Sequence, residues 1–263
     1  MNIQTLIGAL EAVAPPALQE GYDNAGLIAG NPEWEASGAV LCLDATEEVV
    51  GEAVDLGCNL VIAHHPIVFR PMKRFSGDSY VERALIRAIK NDVAIYAAHT
   101  NLDNVLYRGV NAKIAEQLGL TGTRILAPKT DLTPDIGAGL IGQLPEAIDE
   151  KDFLRQLMEK MRAGVVRHTA FRNRPIKTVA LCGGSGGFLL PRAIAQGADI
   201  FITADYKYHE FFDAEGRILI ADIGHFESEQ FTIELFYEIL SEKFPNFALH
   251  CTKVSTNPVH YFV

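Results

Sequence analysis

Apolar runs and helical spacings alternate along most of this chain. Leu6, Leu10 and Val13 share one face of a helix over Thr5–Val13, which Pro15-Pro16 ends. Glu20 to Gly26 is turn chemistry, and Leu27-Ile28-Ala29 a short strand. Ala39–Leu43 reads as a buried strand. Asp44 with Glu47 three residues on resembles a capping box that opens a helix running through Leu56 and ending at Gly57. Leu60–Ala63 is again a buried strand, followed at once by His64-His65-Pro66. A helix over Tyr80–Asn91, a strand over Val93–Ala98 and a helix over Val110–Leu118 follow. Leu126–Leu144 reads as a connection with one strand around Gly139–Gly142, and Lys151–Arg162 as a helix. Then come a strand Lys177–Cys182, a glycine loop Gly183–Gly187, a helix Leu189–Gln196 ending at Gly197, and strands Asp199–Thr203 and Ile218–Ala221. The pattern closes with a helix over Ser228–Lys243 and two expected edge strands in Ala248–Val263.

Part of this pattern occurs twice. Leu41-Cys42 and Leu181-Cys182 stand 140 residues apart, and the same offset relates Ala53 to Ala193, Gly57 to Gly197 and Ile62 to Ile202. Strand, helix, cap glycine and strand thus recur without a gap, which points to a duplication. Strand–helix alternation in both copies implies largely parallel sheets. The expected fold is α/β, with two similar three-layer α/β/α domains: residues 1–122 and 123–243, with 244–263 returning to the first.

Composition narrows the class. A chain of 263 residues with 48% apolar content is an ordinary globular protein with ample core. Its net charge of −10 disfavours nucleic acid as a partner, which asks for a basic footprint. The start, Met1-Asn2-Ile3-Gln4-Thr5, lacks the basic flank and apolar core of a signal peptide, and no apolar stretch is long enough to span a membrane. Four scattered cysteines with no Cys-x-x-Cys pair argue against thiolate zinc and disulfides, so a reducing, cytoplasmic setting is expected.

The chemistry gathers after strands. His64 and His65 leave one strand and Asp103 follows the next; His225 follows the strand Ile218–Ala221, with Glu229 one helical turn on. Sites in open α/β sheets gather beyond the carboxyl ends of the strands. Taken alone, Asp103 also suits a helix cap and His225–Glu229 a surface pair. Brought together by the two halves, three imidazoles and two carboxylates would suit zinc, manganese or iron(II). Five ligands are too many for one closed tetrahedral site and fit two ions sharing bridging carboxylates. Arg70, Lys73 and Arg74 after the His-His-Pro turn are candidates to attract a phosphate, and Lys207 and His209 to support the site. His99 reads equally as a proton shuttle or a strand-end residue. Gly183 to Gly187 also matches Gly-x-Ser-x-Gly, so Ser185 with Asp222 and His225 is a formal rival as a serine hydrolase. Four glycines around one serine suit close backbone approach better than a strained elbow. Cys42 and Cys182 read as small core residues.

Tyr22-Asp23-Asn24-Ala25-Gly26-Leu27, Ala63-His64-His65-Pro66, Thr100-Asn101-Leu102-Asp103, Cys182-Gly183-Gly184-Ser185-Gly186, Gly197-Ala198-Asp199, Thr203-Ala204-Asp205-Tyr206-Lys207-Tyr208-His209, and Gly224-His225 with Glu229 together resemble the NIF-three-like proteins, also called GTP cyclohydrolase 1 type 2 homologues. The resemblance runs over nearly the whole chain. It implies a duplicated α/β fold with a dinuclear metal site between the halves, ligands at His64, His65, Asp103, His225 and Glu229, and self-assembly into a ring-shaped hexamer. It also implies a nucleotide-like or other phosphorylated substrate, with GTP ring opening as the named case. Many members carry an inserted ferredoxin-like domain, for which the span between the repeats leaves no room, and Ala204 stands where glycine is frequent. Two functions follow: a hydrolase whose two divalent ions activate water, or a non-catalytic metal-binding interaction or regulatory protein.

Overall fold

The computed structural model describes residues 1–130 and 132–262. In chain order the elements are α1 (Ile3–Val13), β1 (Gly26–Ala29), β2 (Ala39–Asp44), α2 (Glu47–Asp55), β3 (Leu60–His65), α3 (Tyr80–Lys90), β4 (Ala94–Ala97), α4 (Thr100–Asp103) and α5 (Val110–Leu118). There follow β5 (Thr121–Pro128), β6 (Gly137–Ile148), α6 (Glu150–Lys160), β7 (Arg167–His168), β8 (Ile176–Leu181), α7 (Leu190–Ala195), β9 (Ile200–Thr203), β10 (Leu219–Asp222), α8 (His225–Glu229), α9 (Thr232–Lys243) and β11 (Leu249–Cys251). A 3₁₀ segment, Tyr208–Ala214, joins β9 to β10.

The chain forms two compact units. The first is Met1–Leu102 with Thr232–Pro258, the second Asp103–Phe231 with Val259–Val263. The boundary therefore falls at Leu102–Asp103 rather than after residue 122, and the returning segment starts at Thr232 rather than at 244. Packing explains both differences. Helix α9 lies on α1, β2 and β11, whereas α5 packs with β5, β6, α6 and α8.

In the first unit the strand order is β1-β4-β3-β2-β11, parallel except for β1. Val40, Val61 and Ile95 pack with Val49, Val50 and Ala53 of α2 and with Ala84, Leu85 and Ala88 of α3. Both faces of β2, β3 and β4 are buried, as continuous apolar parallel strands require. In the second unit the order is β5-β6-β8-β9-β10-β7. Only β8, β9 and β10 are mutually parallel; β5, β6 and β7 pair antiparallel, so this sheet is less parallel than expected. Ala180, Phe201 and Ile220 pack with Leu190 and Ala193 of α7 on one face.

The duplication is visible in the hydrogen-bond register. Ala39↔Leu60, Val40↔Val61 and Leu41↔Ile62 in the first sheet recur as Val179↔Ile200, Ala180↔Phe201 and Leu181↔Ile202 in the second, each residue 140 positions on. The caps match too. Gly57 and Gly197 sit at φ +70° and +72°, the left-handed conformation that ends a helix at glycine. Where the first copy inserts α3, the second has only the 3₁₀ segment.

Several local expectations change. The cap of α2 is Thr46, whose hydroxyl accepts from Val49 N at 3.4 Å; Asp44 is turned elsewhere. Strands β5 and β7 were not foreseen. The long expected helix over Ser228–Lys243 is instead α8 and α9. Of the two edge strands expected after Ala248, β11 alone forms among the described residues, and Val263 lies outside them. No described helix is long and apolar enough to cross a membrane.

Candidate metal centre

In the first unit, β3 ends in His64 and His65, and β4 runs into His99. The three rings gather: centroids lie 4.8 Å apart for His64–His65, 5.2 Å for His64–His99 and 5.5 Å for His65–His99. One ligand-capable atom from each lies within 4.8 Å of the others.

What holds each ring decides its chemistry. His64 Nδ1 is 2.9 Å from the Ala98 carbonyl, which only accepts, so Nδ1 carries the proton and Nε2 keeps its lone pair. His65 Nδ1 is 2.8 Å from Asp44 Oδ1, and His99 Nδ1 is 2.8 Å from Asp23 Oδ1. Metal-binding histidines have this arrangement, one nitrogen oriented by an acceptor and the other presented to the ion. Both carboxylates are ionised. Burial pushes Asp44 up, but the hydrogen bond and charge of His65 and the Thr256 hydroxyl more than offset it and lower its pKa. Burial likewise opposes ionisation of Asp23, yet His99 and Thr100 bring it down to about 2.

In the second unit, Gly224 leads β10 into α8, which starts at His225. That start puts Glu229 one turn away on the same helix face, with His225 Nε2 3.0 Å from Glu229 Oε2. His225 Nδ1 is 2.7 Å from Asp205 Oδ2. Asp103 ends α4, and Asn111 Nδ2 donates to its carbonyl at 3.1 Å. Burial raises the Cys182 thiol pKa, and the negative charges of Asp103 and Glu229 raise it further.

The glycine loop fits around Glu229. A Cβ on Gly184, at φ +60°, would lie 2.5 Å from Glu229 Oε1, and one on Gly183 3.3 Å from its Cγ. Close approach is thus the reason for these glycines. Gly183 N donates to Asn111 Oδ1, Gly184 N to Ser228 Oγ and Gly186 N to Thr203 Oγ1, so these amides tie the loop to α5, α8 and β9. The serine-hydrolase reading fails here: both His225 nitrogens face carboxylates, and Asp222 accepts from Tyr206 N, Gly224 N and Arg167.

Arg70 and Lys73 are exposed in the loop after β3. Lys207 is exposed, with Nζ 3.7 Å from Glu210, and His209 packs against Tyr208 and Phe212. Lys207 lines a cavity of about 870 Å³, whose other charged walls are Asp205, Glu210, Asp213, Glu215 and Arg217. Carboxylates outnumber cations there, which opposes an anion.

No local sequence pattern marks Asp23, Asp44 and Asp205 as the groups that orient His99, His65 and His225, or places His99 beside His64 and His65. One signal was present for Asp205. Carried forward, the 140-residue offset relates it to His65, so the same strand end bears a site residue in both copies.

The family model described as Duf34/NIF3 (NGG1p interacting factor 3) matches residues 1–258. A Clostridium perfringens protein named GTP cyclohydrolase 1 type 2 homolog is 35% identical over 230 residues, 87% of either chain. One of the same name from Streptococcus pneumoniae is 32% identical and covers 99% of this chain and 100% of its own. Among solved structures, a Bacillus cereus protein related to NIF3 superposes with TM-score 0.92 at 25% identity, covering 100% of this chain and 99% of that one. The alignment to a Staphylococcus epidermidis relative runs over 369 positions, so that relative carries residues with no counterpart here.

Proposed function

The chain belongs to the Duf34/NIF3 family, and from that premise we propose that it binds two divalent ions through His64, His65, Asp103, His225 and Glu229 and acts as a metal-dependent hydrolase on a nucleotide-like or other phosphorylated substrate. The observation that supports this reading is the backing of every candidate imidazole: His64, His65 and His225 each have Nδ1 against an acceptor, the arrangement by which a protein orients a metal-binding ring. Nitrogen and oxygen donors suit zinc, manganese or iron(II). When bound, such ions supply Lewis acidity and an activated water. Asp44 and Asp205 keep His65 and His225 in one orientation, so the ligands need little rearrangement on loading. Arg70 and Lys73, exposed after β3, would hold the anionic group; the carboxylate-rich cavity beside Lys207 makes Lys207 and His209 the weaker half of that proposal. The resemblance adds a hexameric ring and a cytoplasmic setting, the former tested by the mass in solution.

A second reading, a metal-binding interaction protein, draws on the family description itself, which names an interacting factor. Coordination closed by protein, without bound water, would favour it.

The test is metal content in two full-length variants. Glu229→Ala removes a carboxylate expected to bridge, and unshared cations a few ångströms apart repel strongly. His65→Ala removes one terminal imidazole. Glu229→Ala should retain clearly less metal per chain, with circular dichroism unchanged in both. Full occupancy in Glu229→Ala would sink the proposal. A panel of nucleotides and phosphoesters with added Mn²⁺ or Zn²⁺ separates the two readings: no metal-dependent turnover leaves the interaction protein.

A further inference from the structure

Five residues account for the expected ligands, yet the first unit places a sixth candidate among them. His99 sits within 4.8 Å, ligand atom to ligand atom, of both His64 and His65. Donors sharing one ion with bonds of about 2.1 Å stand at most about 4.2 Å apart, so the three rings need to close by no more than a few tenths of an ångström to share a cation.

His99 is also more firmly built in than a residue at a strand end needs to be. Its Nδ1 faces Asp23, whose side chain has no solvent exposure while that of His99 is 14% exposed. The other Asp23 oxygen accepts from Thr100 N at 3.0 Å and Thr100 Oγ1 at 2.5 Å, and Oδ1 also accepts from Asn24 N at 2.7 Å. The His99 amide donates to Asn101 Oδ1 at 2.9 Å, and Asn101 is tied by its Nδ2 to the Ala14 carbonyl at 2.7 Å. The ring is thus fixed from both its side chain and its backbone. Phe69 closes against it edge-on at 5.8 Å.

The Asp23 partners are two backbone amides, a hydroxyl and an imidazole. The Asp23–His99 pair has the form of a carboxylate–histidine–metal arrangement, in which the carboxylate orients the ring and the other ring nitrogen meets the ion.

We propose that His99, positioned by Asp23, is a further imidazole ligand, so that His64, His65 and His99 form a three-nitrogen divalent-cation site built from the first unit alone. The inference rests on the metal-binding reading above and extends it to a residue outside the five-ligand set. Asp23 is a positioning residue: it touches no ion and acts through the ring it holds.

The experiment loads the full-length protein with Cu²⁺ and counts coordinated imidazoles by pulsed electron paramagnetic resonance, which detects the remote ring nitrogen. His99→Ala should lower the count by one. His99→Gln, whose amide can still meet Asp23, should lower it equally with the fold unchanged by circular dichroism. Asp23→Asn should keep the count but weaken Zn²⁺ binding by about 10- to 100-fold, the usual effect of losing an orienting partner. An imidazole count unchanged in both His99 variants would overturn the inference while leaving the five-ligand reading intact. Failure of the wild type to bind any metal stoichiometrically would overturn both.

Discussion

A residue with no side chain sets how closely Glu229 is held. Gly184 lies at φ +60°, and its missing Cβ would stand 2.5 Å from Glu229 Oε1 and 3.2 Å from His225 Cε1. Gly184→Ala has two separable effects. A left-handed alanine costs about 1–2 kcal/mol of stability. The methyl also displaces the carboxylate tip, since Glu229 is buried and has little room to yield. The variant should therefore lose a modest part of its urea midpoint and, if Glu229 is a ligand as proposed, most of its capacity to take up added Zn²⁺ or Mn²⁺. Wild-type metal affinity in a folded Gly184→Ala protein would show that Glu229 is no ligand. At this scale the sequence revealed donors more readily than the groups orienting them. His64-His65 stands out because two imidazoles interrupt an apolar run. The partners do not: Asp23 is 76 residues from His99, and Asp44 is 21 from His65, so only folding brings each pair together.

Elements were legible where one force dominated. The apolar runs Ala39–Leu43 of β2 and Ile200–Ile202 of β9 read as buried strands, and the cap glycines end α2 and α7 where expected. Strand β5 was missed because it is mostly exposed, with Ile125 and Leu126 its buried pair, so no alternation marks it. The start of α3 carries an N-cap: Ser79 Oγ accepts from Glu82 N at 3.2 Å and donates to Glu82 Oε1 at 3.2 Å. Glu82 Oε2 also accepts from Ser76 N, Gly77 N and Asp78 N. Chiefly through the Ser76 amide, against the opposing effect of burial, its pKa falls from 4.5 to about 2. A lowered folded-state pKa means stability that is present above pH 4.5 and lost as pH falls toward 2. Glu82→Gln should melt below wild type near neutral pH, and the gap should close as pH drops through that window. A gap independent of pH would mean that the carboxylate charge is not what holds the turn.

Across the whole molecule, the segment returning from the second unit completes the first. Helix α9 buries Leu235, Phe236, Ile239 and Leu240, and β11 adds the edge strand beside β2. The apolar pattern announced the helix but not its host, because a stripe of leucines states that it is buried and not against what. Burial of four such side chains contributes roughly 8 kcal/mol at about 2 kcal/mol each, comparable to the whole stability of a typical domain, about 5–15 kcal/mol. The same segment reaches the candidate centre: Thr256 Oγ1 donates to Asp44 Oδ2 at 2.7 Å, and Asp44 holds His65. A chain ending at Phe231, which takes only the last five residues from the second unit, should consequently lose the first unit and keep the second. In hydrogen exchange, amides of β2, β3 and β4 should become fast while those of β6, β8 and β9 stay protected. Protected β2–β4 amides in the truncated chain would show that the first unit stands without α9, and would leave the division at Leu102 and Thr232 without its energetic basis.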